Sequence, residues 1–225
     1  EAALYSLARQ GLLAGGLEVL ERLAVAPTLV LQDSGVLACG RWDLAAVRAT
    51  RGVDVATVRD WLTQLAGTVH SGAADRVSVA DAVVRRWWRH GALLPDVGGR
   101  ELHLASPGRL REVWQLDLSP LPVPVYGLQR AFAFVQDGRV VARITVTSGW
   151  RAGLEGHLAA LRALGFERIA MLPEVDDAAA ATPDCPIAGA EWIDPRRSLR
   201  DEWLAAALRD GEPLVLAHTV WRDLV

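Results

Sequence analysis

Apolar and polar positions follow three successive rhythms along this chain. Leu17, Leu20 and Leu23 recur at helical spacing, and residues 2–14 read as an earlier helix set off by Gly15-Gly16. Pro27 closes that region, and Thr28-Leu29-Val30-Leu31 is a short apolar run of the buried parallel-strand type. The run stops at Gln32-Asp33-Ser34-Gly35, a polar turn at the carboxyl end of the strand, the edge where open α/β sheets bind ligands.

From Trp42 the pattern changes. Asp54 is placed to cap a helix reaching about residue 66, and residues 77–88 predict a second one with arginines near its end. Gly98-Gly99 precede residues 101–104, which alternate like a half-buried strand. Residues 131–135 and 140–146, joined through Asp137-Gly138, predict a hairpin. Then a βα rhythm returns: a helix over 153–164, a buried strand over 168–172, a helix from a Ser198 cap to Arg209, and a buried strand over 213–217. An α/β unit interrupted by an antiparallel α+β insertion accounts for the order. No internal repeat is visible, and residues 176–184 read as a flexible loop.

Composition narrows the functional classes. The 225 residues are 51% hydrophobic and 23% charged, which excludes a disordered chain. A net charge of −3 argues against binding nucleic acid through bulk electrostatics. All 24 basic residues counted as Lys and Arg are arginines. Without a lysine there is no Schiff base and no lysine to steady a transferring phosphoryl group. Cys39 and Cys185 lie far apart and form neither a disulfide framework nor a zinc pattern, so a reducing cytosol is the simplest setting. No apolar run approaches the roughly 18 residues of a membrane span, and the stretch 118–126 is broken by prolines. There is no signal-peptide pattern. The chain opens on Glu1 rather than Met and reads as part of something longer.

Four stretches, in order, resemble the cytosolic phosphorylation and nucleotide-binding domains of heavy-metal-transporting P-type ATPases. ARQGLLAGGLEVLERLA is similar to the family's approach to its phosphorylation site, and TLVLQDSGVLACGR to TVVFDKTGTLTxGR. VARITVTSGWRAGLEGHLAALRALGFERIAML resembles the return through DxxR to LxxLGIxxVxMLTGD. WIDPRRSLRDEWLAAALRDGEPLVLAHTVWRDL resembles LLPEDK, a helix and VAMVGDGINDAPAL. The resemblance implies a haloacid-dehalogenase-like Rossmannoid parallel sheet with an inserted antiparallel α+β nucleotide-binding-like domain. It divides the chain into a phosphorylation-like domain over 1–43 and 144–225 and an insertion over 44–143. In the family the chain continues past GDGIND into another strand and helix, so the sheet ending at Val225 is either cut short or unusually small.

Carried over position by position, the motifs are degraded. The phosphorylated aspartate falls on Gln32, the lysine after it on Asp33, and the two threonines on Ser34 and Val36; Gly35 and Leu37 match. The TGD aspartate falls on Val175, the LLPEDK lysine on Ser198 (or Arg196-Arg197 in a shifted register), and the magnesium aspartate on Thr219. Asp223 and Arg151 are retained, while the DxxR aspartate is Ser148. The His-Pro pair near adenine falls on Val77-Ser78, and the GxG motif reduces to Gly91. An amide cannot attack a phosphoryl group as a carboxylate does, and phosphoryl transfer rests on Mg²⁺ and cations. Losses at every motif predict a pseudo-ATPase with no intact catalytic residue, no metal site and no cofactor.

Other readings compete. Shifted by one residue, Asp33 in Asp33-Ser34-Gly35-Val36-Leu37 would be a haloacid-dehalogenase-type nucleophile using Mg²⁺ and ATP, against the plainer reading of a turn aspartate. Glu174, Asp176 and Asp177 could bind a cation, against solvated loop carboxylates. His218 lies at a strand end beside the degraded site, against a hydrogen-bonded structural histidine. Arg85, Arg86 and their neighbours Trp87-Trp88 could meet a nucleotide, against a helix end whose arginines complement the dipole and whose tryptophans enter the core. The resemblance implies a copper-like transport ATPase whose cytoplasmic region sits against the membrane-embedded domain of its own parent protein. The freed ligand edge would suit a protein partner, and no nucleic acid is expected.

Overall fold

A computed structural model describes residues 17–66, 77–95, 97, 99–116, 128–173, 189–194, 197–209 and 214–217. The helix expected over 2–14 and the loops over 118–126 and 176–184 lie outside these residues. Helix α1 (Leu17–Ala24) leads into β1 (Thr28–Gln32), whose five residues are all buried. β1 runs parallel between β8 (Arg168–Leu172) and β10 (Leu214–Ala217), and β9 (Glu191–Trp192) extends the sheet beyond β8. The apolar runs of β1 and β8 are continuous because these two strands are covered on both faces. On one face Leu29 and Leu31 pack with Ile169, Met171 and Leu158 of the helix α5 (Leu154–Ala163). On the other, Val30, Ala170 and Ile193 meet Trp203 of α6 (Arg197–Arg209).

Between β1 and β8 the chain builds a separate six-stranded antiparallel sheet, ordered β3-β2-β7-β6-β5-β4. Its long strands are β2 (Ala38–Ala49), β6 (Gln129–Gln136) and β7 (Arg139–Trp150); β3 (Ser78–Ala80), β4 (Ala92–Leu94) and β5 (Leu102–Ala105) are short. β2 and β7 run continuously across the two boundaries expected from the resemblance, 43/44 and 143/144. The hairpin β6–β7 turns at Asp137 and Gly138, both with positive φ (49° and 70°), which the Asp-Gly pair tolerates. Helices α2 (Val55–Ala66) and α3 (Asp81–His90) cover one face through Val58, Trp61, Leu62, Val84 and Trp87. Helix α4 (Pro107–Trp114) covers part of the other through Leu110, with Pro107 in its first turn.

Two expectations need correction. The helix expected over 77–88 starts at Asp81, because Ser78–Ala80 pair with Asp43, Trp42 and Arg41 on β2 instead. Val77 accepts a hydrogen bond from Leu44 N–H (2.9 Å) that fixes this edge. Ser198 does not cap α6, which already includes Arg197. Among the described residues no helix is long and apolar enough to cross a membrane, and no group of three metal-ligating side chains exists.

Candidate functional site at the end of the first strand

β1 ends at Gln32, and a single π-helical turn, Asp33–Leu37, closed by Ala38 N–H donating to Asp33 C=O, carries the chain into β2. Such turns place one extra residue in the backbone ring and recur at functional sites. Gln32 is 3% exposed, and its Oε1 has no hydrogen-bond partner among the described residues. Asp33 is fully buried, with its Oδ2 3.5 Å from Arg130 Nη2 at the start of β6. The Arg130 guanidinium lies over the Trp42 ring (5.2 Å) and the Trp88 ring (5.5 Å), and its Nη1 donates to Gln129 C=O (3.0 Å). Trp42 Nε1 in turn donates to Asp81 Oδ1 (2.7 Å), whose Oδ2 is 3.2 Å from Arg85 Nε. Asp33 is thus ion-paired with a cation lying over two aromatic faces, a setting in which charge pairs are strengthened, although Oδ2 and Nη2 form no hydrogen bond among the described residues.

The other sequence-derived positions are distributed unevenly. Ser34, Gly35 and half-buried Val36 lie in the π-turn. Arg151 is exposed and fastens the turn to the end of β7, donating from Nε to Val36 C=O (3.0 Å) and from its backbone N–H to Leu37 C=O (2.8 Å). Ser148, in place of the DxxR aspartate, donates to Arg41 C=O (2.6 Å), and Cys39 Sγ sits 3.5 Å from its Oγ. Partial burial pushes the Cys39 thiol up, but its hydrogen bonds with Ser148 and the backbone at Arg41 outweigh this and hold it below the ordinary range. Ser198 lies in the first turn of α6. Val175, Thr219, Asp223, Glu174, Asp176, Asp177 and His218 lie outside the described residues.

In the antiparallel unit, Gly91 ends α3 at φ 69°, and a Cβ there would meet Leu104 C=O at 2.7 Å and Arg109 Nε at 3.4 Å. Its backbone is therefore packed against β5 and the Arg109 side chain. Arg85 is held by Asp81, Arg86 is exposed, and Trp87 enters the core edge-on to Phe132 (6.2 Å). Sequence reasoning missed Arg130 and its two tryptophans. The signal was a single arginine between Leu128 and Ala131-Phe132, an apolar stretch where a lone cation has to find a buried partner.

The catalytic domain of the CPx-ATPase CopB-B, solved in work on conformational changes upon nucleotide binding, superposes with a TM-score of 0.53 at 11% identity, covering 98% of this chain and 84% of that one. The chain has the fold of a CPx-ATPase catalytic domain. A zinc-transporting PIB-type ATPase in its E2.Pi state also matches at 20% identity and a TM-score of 0.45, over 95% of this chain. The chain spans 36% of that transporter's length. No family model matches the sequence, and no curated protein does.

Proposed function

We propose that this chain is the cytosolic part of a heavy-metal, copper-type P-type ATPase-like membrane protein whose phosphorylation site has lost its chemistry and whose role is structural or regulatory. The parallel sheet is then the haloacid-dehalogenase-like phosphorylation unit, and the antiparallel sheet the nucleotide-binding-like insertion. One observation carries the inactive reading. An amide, Gln32, stands where the family has its nucleophile, and the adjacent carboxylate, Asp33, is fully buried against Arg130. Neither supplies an accessible carboxylate to attack a γ-phosphoryl group, and no lysine exists to steady one. The partner that fits is the membrane-embedded domain of the same parent protein, on its cytoplasmic side, and the unused strand end is free for a protein contact.

The test is ATP and ADP titration by calorimetry with and without Mg²⁺, beside an acid-stable phosphoenzyme assay. The expected result is no phosphoenzyme and no turnover. Mg²⁺-dependent turnover abolished by Asp33→Asn would overturn the reading and restore Asp33 as a displaced nucleophile. Saturable nucleotide binding without turnover would make the antiparallel unit a sensor.

A further inference from the structure

Arg48 in β2 and Arg143 in β7 stand directly opposite one another in the antiparallel ladder. Like charges so placed repel, and among the described residues neither guanidinium is ion-paired with a carboxylate. They line a depression of about 250 Å³ with Ala49, Thr50 and Val140, none of them acidic. It lies at the far ends of β2 and β7, away from the π-turn that joins β1 to β2. Its floor is pinned, because Thr50 donates to Val141 C=O from both its N–H and its hydroxyl (2.9 Å each). Arg48 is exposed and Arg143 half-buried, and the residue opposite Arg143 on β6 is the small Ala133.

We infer that this depression binds a phosphoryl group, with Arg48 and Arg143 closing on its oxygens from the two strands. Two arginines lining one concavity can present planar forks to a multiply charged tetrahedral anion, which cancels the repulsion between them. The volume falls below the roughly 300–1,000 Å³ of sites for drug-sized ligands. It therefore suits a phosphate head rather than a whole nucleotide. That head comes either from a small phosphorylated metabolite or from a lipid at a membrane surface, and the two sources are separable by experiment.

The measurement titrates the 225-residue chain with inorganic phosphate and pyrophosphate by calorimetry at low salt. In parallel it is sedimented with phosphatidylcholine vesicles with and without phosphatidic acid. Arg48→Gln, Arg143→Gln and the pair are compared with Arg139→Gln, an exposed arginine on the same strand outside the depression. Saturable binding to either probe, weakened at least tenfold in each depression variant and unchanged in Arg139→Gln, is expected. Solution binding identifies a soluble ligand, and vesicle binding alone identifies a lipid head. No saturable binding to either probe, or an equal loss in Arg139→Gln, overturns the site. Circular dichroism verifies that each variant folds, and removing one arginine is expected to leave the thermal midpoint unchanged or raised.

Discussion

Asp33 and Arg130 meet at 3.5 Å although about 100 residues separate them and neither side chain is more than 2% exposed. The pair joins the turn after β1 of the parallel sheet to the first residues of β6 in the antiparallel one. A buried pair of this kind need not stabilise against a hydrophobic replacement, yet removing one partner leaves a charge buried alone at a cost of about 3–5 kcal/mol. Arg130→Met and Asp33→Asn are each expected to lower the thermal midpoint by about 10 °C, using roughly 2–4 °C per kcal/mol for a chain of this size. The double variant is expected to lose clearly less than the sum of the two. Additive losses in a double-mutant cycle of denaturation would show that the two groups are not coupled.

Gly91 tests whether its place after α3 is set by packing or by ligand approach. With φ at 69° and Leu104 C=O 2.7 Å from where a Cβ would sit, Gly91→Ala combines a backbone cost of about 1–3 kcal/mol with a clash against main chain. A drop of about 5–10 °C in midpoint is expected. Gly149→Ala, where a Cβ meets nothing within 4 Å and φ lies outside the left-handed region, is the control and is expected to change little. Equal midpoints for the two variants in urea and heat denaturation would remove the packing argument.

Much of the parallel unit was legible because β1 and β8 are short, apolar and packed on both faces: β8 spans the residues the pattern predicts, and β1 adds only Gln32. The β6–β7 hairpin was legible from the runs 131–135 and 140–146 joined through Asp137-Gly138. β2 was not, because Gly40 and the charged Arg41, Asp43 and Arg48 interrupt it, and its pairing with β7 shifts register between Ala38 and Trp42 and again between Leu44 and Ala46. Those shifts destroy the period-2 pattern that sequence reasoning reads. The degraded motifs located Gln32 and Asp33, but the partner that neutralises Asp33 comes from a strand far away in sequence. Only the fold brings Arg130 there.

The start of α2 gives a pH-dependent signature. Asp54 accepts the Thr57 backbone N–H (2.6 Å), and this hydrogen bond holds its carboxyl below the usual range. Because the folded value is depressed, the stabilisation is fully present above the unfolded value of about 3.9 and disappears as pH falls through the folded one. The midpoint of Asp54→Ala is therefore expected to lie below that of the wild type at neutral pH, with the gap closing below about pH 4. Thermal melts of both proteins across that window check it, and a gap that persists undiminished in acid would mean that the cap acts without its charge.

Restoring the missing carboxylate at the strand end is expected to harm the fold without reviving chemistry. Gln32 is 3% exposed, and Asp33 beside it already carries a buried carboxylate, so Gln32→Asp adds a second negative group with no described cation of its own. Desolvation and the neighbouring charge both raise the new carboxyl's folded value above about 3.9. A raised value makes its penalty grow as pH rises past the unfolded one, the opposite sign to Asp54. Gln32→Asp is therefore expected to melt below wild type at pH 7 by a margin that narrows toward pH 4, and to form no acid-stable phosphoenzyme with Mg²⁺ and ATP. Ser34, Val36 and the absence of lysine leave the new group without the partners phosphoryl transfer needs. A labelled phosphoenzyme in this variant would mean that the nucleophile is the site's one missing part.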